Sequence, residues 1–192
     1  DEGYALGLEA RFFDLDASAQ AFPDLSGLTA DVARLDAQIA YAPTTEPWSG
    51  LGSGFADTFA SRHVGFLRIE DAGEYTLYLD ADDASKLWLK GELILDSPGT
   101  PPATERSVVR TFEAGYHAIR VDFFEDDGQA GLTLSFAGPG VDKQVVPATA
   151  LYHADPPDAL PPTPNPMQWE SPPAASGATS VTMTAALATD VT

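Results

Sequence analysis

The chain has no cysteine, two methionines and only ten basic residues. Each shortage excludes something. Without cysteine there is no thiol nucleophile, no zinc–thiolate centre and no disulfide staple, so the core must stand by packing alone, which suits an extracellular protein with a sizeable core. The scarcity of lysine and arginine leaves 29 acidic side chains against 10 basic ones and a formal charge of −19. Such a surface repels phosphate backbones and anionic headgroups, so nucleic acid and membranes are not the expected partners. No apolar run approaches the roughly 20 residues of a membrane-spanning helix, and no signal peptide opens the chain. It starts mid-pattern at Asp1 and stops in Asp190-Val191-Thr192, which reads as a segment cut from a longer protein.

Catalytic motifs are missing too. His63, His117 and His153 are scattered, without metal-ligand spacing, and are expected to be structural. Gly50-Leu51-Gly52-Ser53-Gly54 lacks the lysine and hydroxyl residue of a phosphate loop, and no Gly-x-Ser-x-Gly elbow occurs. A glycosidase needs two opposed carboxylates in an aromatic cleft, and abundant acids alone do not distinguish one. The expectation is a binding module, not an enzyme.

What is present is an ordinary globular composition, with 44% hydrophobic and 10% aromatic residues in 192. From residue 63 to 136, short alternating runs are separated by glycine-bearing turns. His63–Ile69 leads through Glu70-Asp71-Ala72-Gly73 to Glu74–Leu79; Lys86–Lys90 is followed by a hairpin candidate at Gly91-Glu92 and by Leu93–Leu95. Ser107–Phe112, Tyr116–Phe124 and Leu132–Phe136 complete the series. This pattern predicts an all-β fold, an antiparallel β-sandwich. Leu8–Phe13 reads as a further strand. Leu28, Val32, Leu35 and Ile39 fall on one helical face, so residues 28–38 read either as a short helix or as an irregular segment entering a strand at Ala37–Tyr41.

Beyond His153 the composition shifts. Eight prolines between residues 155 and 175 predict a semi-rigid linker over 155–176, after a module spanning 1–154. Ser180–Leu187 regains strand character, so 177–192 reads as the truncated start of a following β domain. A lone strand either frays or pairs with a sheet edge of this molecule or a neighbour.

Residues 3–153 resemble the PA14 domain family. Gly7-Leu8-Glu9-Ala10-Arg11-Phe12-Phe13 is similar to its first strand. Arg62–Leu67 with Ala72–Tyr78 resembles its central hairpin, and Asp82-Asp83-Ala84-Ser85-Lys86-Leu87-Trp88 its Asp-Asp loop. Gly115–Val121, Gly131–Phe136 and Val146–Tyr152 follow in the family's order. His63 and Phe136 stand where the family often has tryptophan, and Ala84 where it often has glycine. The resemblance implies a PA14-like sandwich and, from its bacterial adhesin and fungal flocculin members, calcium-dependent carbohydrate binding. Other members have other roles, so fold alone does not fix function.

Adjacent side chains on an extended strand point to opposite faces, so Asp82 and Asp83 converge on one ion only if the backbone departs from that geometry. A cis peptide does this by drawing neighbouring Cα atoms from about 3.8 to about 2.9 Å, and sugar-binding members of the family carry such a cis pair. Two carboxylates about 4 Å apart repel by roughly 1–4 kcal/mol, and a cation between them reverses the sign. Calcium takes 6–8 oxygens, more than two aspartates supply. By the resemblance, the loop Glu125–Gly131 contributes a side chain, Asp126 or Asp127, and carbonyls from Gly128 to Ala130, including that of Gln129. The Gln129 side chain is a candidate for contacting a sugar ring. Water would fill the remaining positions and exchange for two vicinal sugar hydroxyls. Neither loop fits an EF-hand, since counting from Asp80 puts Ser85 at the glycine position and Gly91 at the glutamate position. Trp88, between apolar neighbours, is expected in the core, and Trp48 is expected to cover the core edge. The resulting expectation is a lectin-like module of a larger secreted or cell-surface protein, involved in adhesion. Its partners would be cell-surface or matrix polysaccharide, monosaccharides with vicinal hydroxyls, and other domains of its own chain.

Overall fold

A computed structural model describes residues 3–15, 22–98 and 105–155 in full, and the backbone of 169–177 and 180–185. The chain divides into two compact units, Gly3–Asp155 and Pro156–Thr192. The first contains thirteen strands among its described residues: β1 Tyr4–Leu6, β2 Leu8–Asp14, β3 Val32–Asp36, β4 Ala40–Thr44, β5 Phe59–Ile69, β6 Gly73–Asp82, β7 Ala84–Leu89, β8 Glu92–Ser97, β9 Arg106–Phe112, β10 Gly115–Glu125, β11 Ala130–Gly138, β12 Val141–Val145 and β13 Leu151–Ala154.

Two antiparallel sheets form the sandwich. The larger runs β1-β13-β5-β10-β7-β8, with β2 and β3 also attached through β5; the smaller runs β12-β11-β6-β9, with β4 on β11. The long strand β5 shares one edge between two partners, β2 along Phe59–Val64 and β13 at Phe66–Leu67. Gly65 lies at the junction, where an added Cβ would sit 2.2 Å from the Tyr152 carbonyl oxygen. Here the glycine is required by the close approach of another backbone.

Period-2 alternation decides what is buried. In β6, Tyr75, Leu77, Leu79 and Ala81 turn inward, while Glu74, Thr76, Tyr78 and Asp80 lie on the other face. Leu8 and Phe12 from β2, Leu87 from β7, Phe123 from β10 and Leu132 and Leu134 from β11 meet them in the main core. A smaller cluster of Phe13, Leu25, Ala60, Ala84 and Phe124 packs separately. It explains why the end of β10 is buried on both faces from Val121 to Glu125.

Several local expectations change. Residues 28–38 are not helical: β3 pairs with β2 from Val32↔Phe12 to Asp36↔Leu8, and Leu28 and Leu35 stay exposed. Cross-strand pairing outweighed a weak helical periodicity. The β7–β8 hairpin turns on Lys90 and Gly91, both at positive φ (51° and 84°), one residue earlier than the sequence suggested. Trp88 is not in the core. Leu87 takes the inward position of β7, which leaves Trp88 half-buried on the outer face beneath the Arg120 guanidinium, 3.7 Å from the ring centroid. Trp48 is buried, stacked on Tyr41 with centroids 3.8 Å apart.

In the second unit, β14 (Trp169–Gly177) pairs with β15 (Ser180–Ala185). The expected linker therefore becomes strand from Trp169 onward, and the trailing strand pairs within the chain. Pro172 and Pro173 fall where the register shifts, an irregularity that tolerates residues lacking an N–H. The earlier part of the predicted linker, 156–168, lies outside the described residues, as do 178–179 and 186–192.

Candidate functional site

The site follows from connectivity. β6 and β11 are neighbours in the small sheet, and β7 and β10 are neighbours in the large one. The chain crosses between sheets twice at the same end, from β6 to β7 at Asp83 and from β10 to β11 through residues 126–129. Neighbouring strands at both ends force the two crossovers to lie side by side. The register fixes this closely, with Gly131 opposite Asp82 and Phe124 opposite Ala84.

The peptide bond between Asp82 and Asp83 is cis. Both residues are half-buried. The Asp83 Oδ2 atom accepts a hydrogen bond from the Asp126 N–H at 3.0 Å, which joins the two crossovers directly. Burial, then the charges of Asp83 and Asp80, push the Asp82 carboxyl above its ordinary value.

The sequence reading missed Glu125. It ends β10, and alternation from Val121 and Phe123 turns it to the inner face at the rim of the sandwich. It is fully buried, and neither carboxylate oxygen has a hydrogen-bond partner. Burial first, then the charges of Asp83, Asp82, Asp57 and Asp126, push its carboxyl up to about 8. Such a group has lost water without gaining a donor, an arrangement that is costly unless a cation or proton completes it. The signal was available: continuing the in–out count one residue past Phe124 places Glu125 inward.

The remaining predicted residues are distributed as follows. Asp126 is half-buried, and its Oδ1 is buried without a partner. Asp127, Gly128 and Gln129 are exposed at the loop tip, with Gly128 at φ 115°. The Ala130 carbonyl, expected among the ligands, accepts the Trp48 Nε1–H at 3.2 Å, which occupies one of its two lone pairs. Burying the indole required an acceptor for its one N–H, and this carbonyl was within reach. Among the described residues, no three or more His, Asp or Glu side chains are gathered as a ready-made metal cage.

The histidines are structural. His63 is buried against Asp36, at 3.2 Å from Nε2 to Oδ2; His117 Nε2 lies 2.8 Å from the Glu113 carbonyl; His153 Nδ1 lies 3.3 Å from that of Gly7. Asp36 also accepts from Arg34 Nε at 2.8 Å and from the Tyr41 hydroxyl. Burial raises its carboxyl, but the hydrogen bonds from His63 and Tyr41 and the Arg34 charge outweigh that and hold it below the ordinary value. No helix among the described residues is long and apolar enough to cross a membrane, which does not bear on β-barrels.

A two-sheet sandwich whose adjacent crossovers carry acidic residues at one rim defines a class of all-β module. The chain belongs to the PA14 domain family, which matches residues 50–150. Among curated proteins it is 29% identical over 102 residues to anti-sigma-I factor RsgI3 of Acetivibrio thermocellus. That match covers 53% of this chain and 16% of the relative, so the chain spans a small part of that protein's length. Among solved structures, a PA14 sugar-binding domain from an RTX adhesin superposes with a TM-score of 0.66 at 17% identity, covering 78% of this chain and 99% of that one. The A domain of epithelial adhesin 9 from Candida glabrata, in complex with Galβ1-3GlcNAc, gives a TM-score of 0.63 at 13% identity, covering 81% and 92%. At these identities the structural likeness establishes the fold.

Proposed function

We propose that this domain is a calcium-dependent carbohydrate-binding module of a larger secreted or cell-surface protein, and that it has no catalytic activity of its own. The observation that carries the reading is Glu125, a buried carboxylate without a donor, facing the Asp82-Asp83 crossover and the acidic loop. A cation relieves the repulsion among these groups and supplies the missing partner. Asp82 and Asp83 would hold it from one crossover; the carboxylates of Glu125 and Asp126, with loop carbonyls, would hold it from the other. Asp127 is free to contribute at the exposed tip. A hard cation with oxygen ligands and a flexible coordination number fits this donor set, and calcium meets that description.

Bound calcium supplies coordination positions that two vicinal hydroxyls of a sugar can occupy in place of water. The chain's own residues would then select the ligand: Gln129, exposed at the loop tip, can donate and accept hydrogen bonds to the ring. The adhesin likeness supports a sugar ligand and a surface or extracellular location. A second reading, a structural or protein-interaction domain without sugar binding, draws on the anti-sigma factor relative. Calorimetric titration with calcium, followed by monosaccharides and a glycan array with and without chelator, separates the two. Calcium heat and calcium-dependent glycan capture, both lost in Asp83→Ala, support the lectin reading; a protein silent to both ligands overturns it.

A further inference from the structure

The acidic loop is held from a third place in the chain, the corner just before β5. The Gly128 N–H donates to Asp57 Oδ1 at 3.2 Å. Thr58 grips the Asp126 carbonyl twice, through its N–H and its Oγ1, each at 3.1 Å. Thr58 sits at φ 54°, an uncommon conformation for a β-branched residue, and the corner's hydrogen bonds, including Leu15 N–H to the Thr58 carbonyl at 3.0 Å, offset its cost. With the Ala130 carbonyl hydrogen-bonded to Trp48 Nε1–H, both ends of the loop are pinned. The carbonyls of Asp127, Gly128 and Gln129 fall between the pins in sequence, in the segment that follows the unpartnered oxygens of Glu125 and Asp126.

We propose that Asp57 and Thr58 are positioning residues of the cation site, which fix the acidic loop in its ligating shape before any ion arrives. The inference rests on the calcium reading above and goes further, assigning a role to residues about 70 positions away that do not touch the ion. Asp57 acts as a hydrogen-bond acceptor for Gly128, and its charge adds separately to the negative field at Glu125. Thr58 determines which carbonyl is withheld, that of Asp126, and so which remain for the ion. Preorganisation of this kind strengthens binding by reducing the ordering cost of the ligands.

Calcium affinity and metal-free melting temperature, measured on wild type, Asp57→Ala, Asp57→Asn and Thr58→Gly, test this. Asp57→Ala is expected to weaken calcium binding by about 10–100-fold, the usual range for residues that orient ligands. Asp57→Asn keeps an acceptor for the Gly128 N–H and is expected to recover most of the affinity that Asp57→Ala loses, the remainder reflecting the lost charge. Thr58→Gly relaxes the positive φ but loses the hydroxyl, so it should bind calcium about tenfold more weakly while melting no lower than wild type. A merely structural corner would move melting and affinity together. Wild-type affinity in Asp57→Ala, or equal weakness in Asp57→Asn, overturns the positioning role and leaves the calcium reading standing. No calcium response in wild type overturns that reading itself, and the positioning role with it.

Discussion

Asp83 accepts the Asp126 N–H at 3.0 Å and thereby couples two crossovers that are 43 residues apart in sequence. The carboxylate does two separable things there: it shapes the second loop and it contributes charge. Asn in its place keeps an acceptor and loses the charge. Asp83→Asn is therefore expected to melt no lower than wild type in chelator yet lose the calcium response, whereas Asp83→Ala loses the response and about 1–2 kcal/mol of metal-free stability. Denaturant unfolding with and without calcium measures both, and a calcium response retained in Asp83→Asn would contradict the proposed ligand role.

Glu125 gives the opposite sign in the absence of metal. Without metal the folded protein must hold this carboxyl protonated near neutral pH, and glutamine removes that cost, so Glu125→Gln is expected to raise the melting temperature in chelator by a few degrees, since about 1 kcal/mol shifts a domain of this size by roughly 2–4 °C. If the proposed site binds calcium, the same change should sharply reduce the additional stabilisation expected from the ion. Differential scanning calorimetry in chelator and in excess calcium reads both effects. A lower melting point in chelator would show that Glu125 has a partner after all.

The Asp36 network sets an acid limit. Its carboxyl is held below the ordinary value in the folded state by His63, Tyr41 and Arg34, against the effect of burial. A depressed carboxylate contributes stability above its unfolded value, near pH 4, and that contribution is lost as pH falls through the folded value. Wild-type stability should therefore decline as pH drops below about 4, and Asp36→Asn should flatten that part of the decline while being less stable at pH 7. Urea unfolding across pH 2–7 decides it.

Gly65 tests the junction in the large sheet. A Cβ there meets the Tyr152 carbonyl oxygen at 2.2 Å and Leu8 Cδ2 at 2.6 Å. Backbone cannot move aside as a side chain can, so Gly65→Ala should cost about 1–3 kcal/mol or more and loosen β13 from β5. Faster amide exchange in residues 151–154 with slow exchange kept in β10 would locate the damage as expected.

The strands were readable because in–out alternation survives in Tyr75-Thr76-Leu77-Tyr78-Leu79 and its counterparts, and the Asp82-Asp83 loop stood out through its family resemblance. Trp88 was misplaced because Leu87 and Leu89 flank it, although Lys86, Trp88 and Lys90 already trace the polar face. Residues 28–38 stayed open between helix and irregular segment because of a chance helical spacing, and pairing with β2 makes Val32–Asp36 a strand. Glu125 was hidden by its position at a strand end, where a carboxylate reads as the start of a solvated loop. The Asp57–Gly128 and Thr58–Asp126 contacts had no local signal at all, because only tertiary folding brings those segments together.

The pairing of β1 with β13 has a mechanical consequence. Tyr4 lies opposite Ala154, and the Asp155 N–H reaches the Gly3 carbonyl at 3.0 Å, so the chain enters and leaves at one point. That point borders the Phe66–Leu67 stretch of β5, roughly 25 Å along the strand from Phe59 beside the acidic rim. Tension applied between the two ends peels β1 from β13 rung by rung and does not shear the sheets, and the rim carries no load until that peeling is complete. A sandwich built this way can be pulled hard at its termini while the far rim stays undistorted.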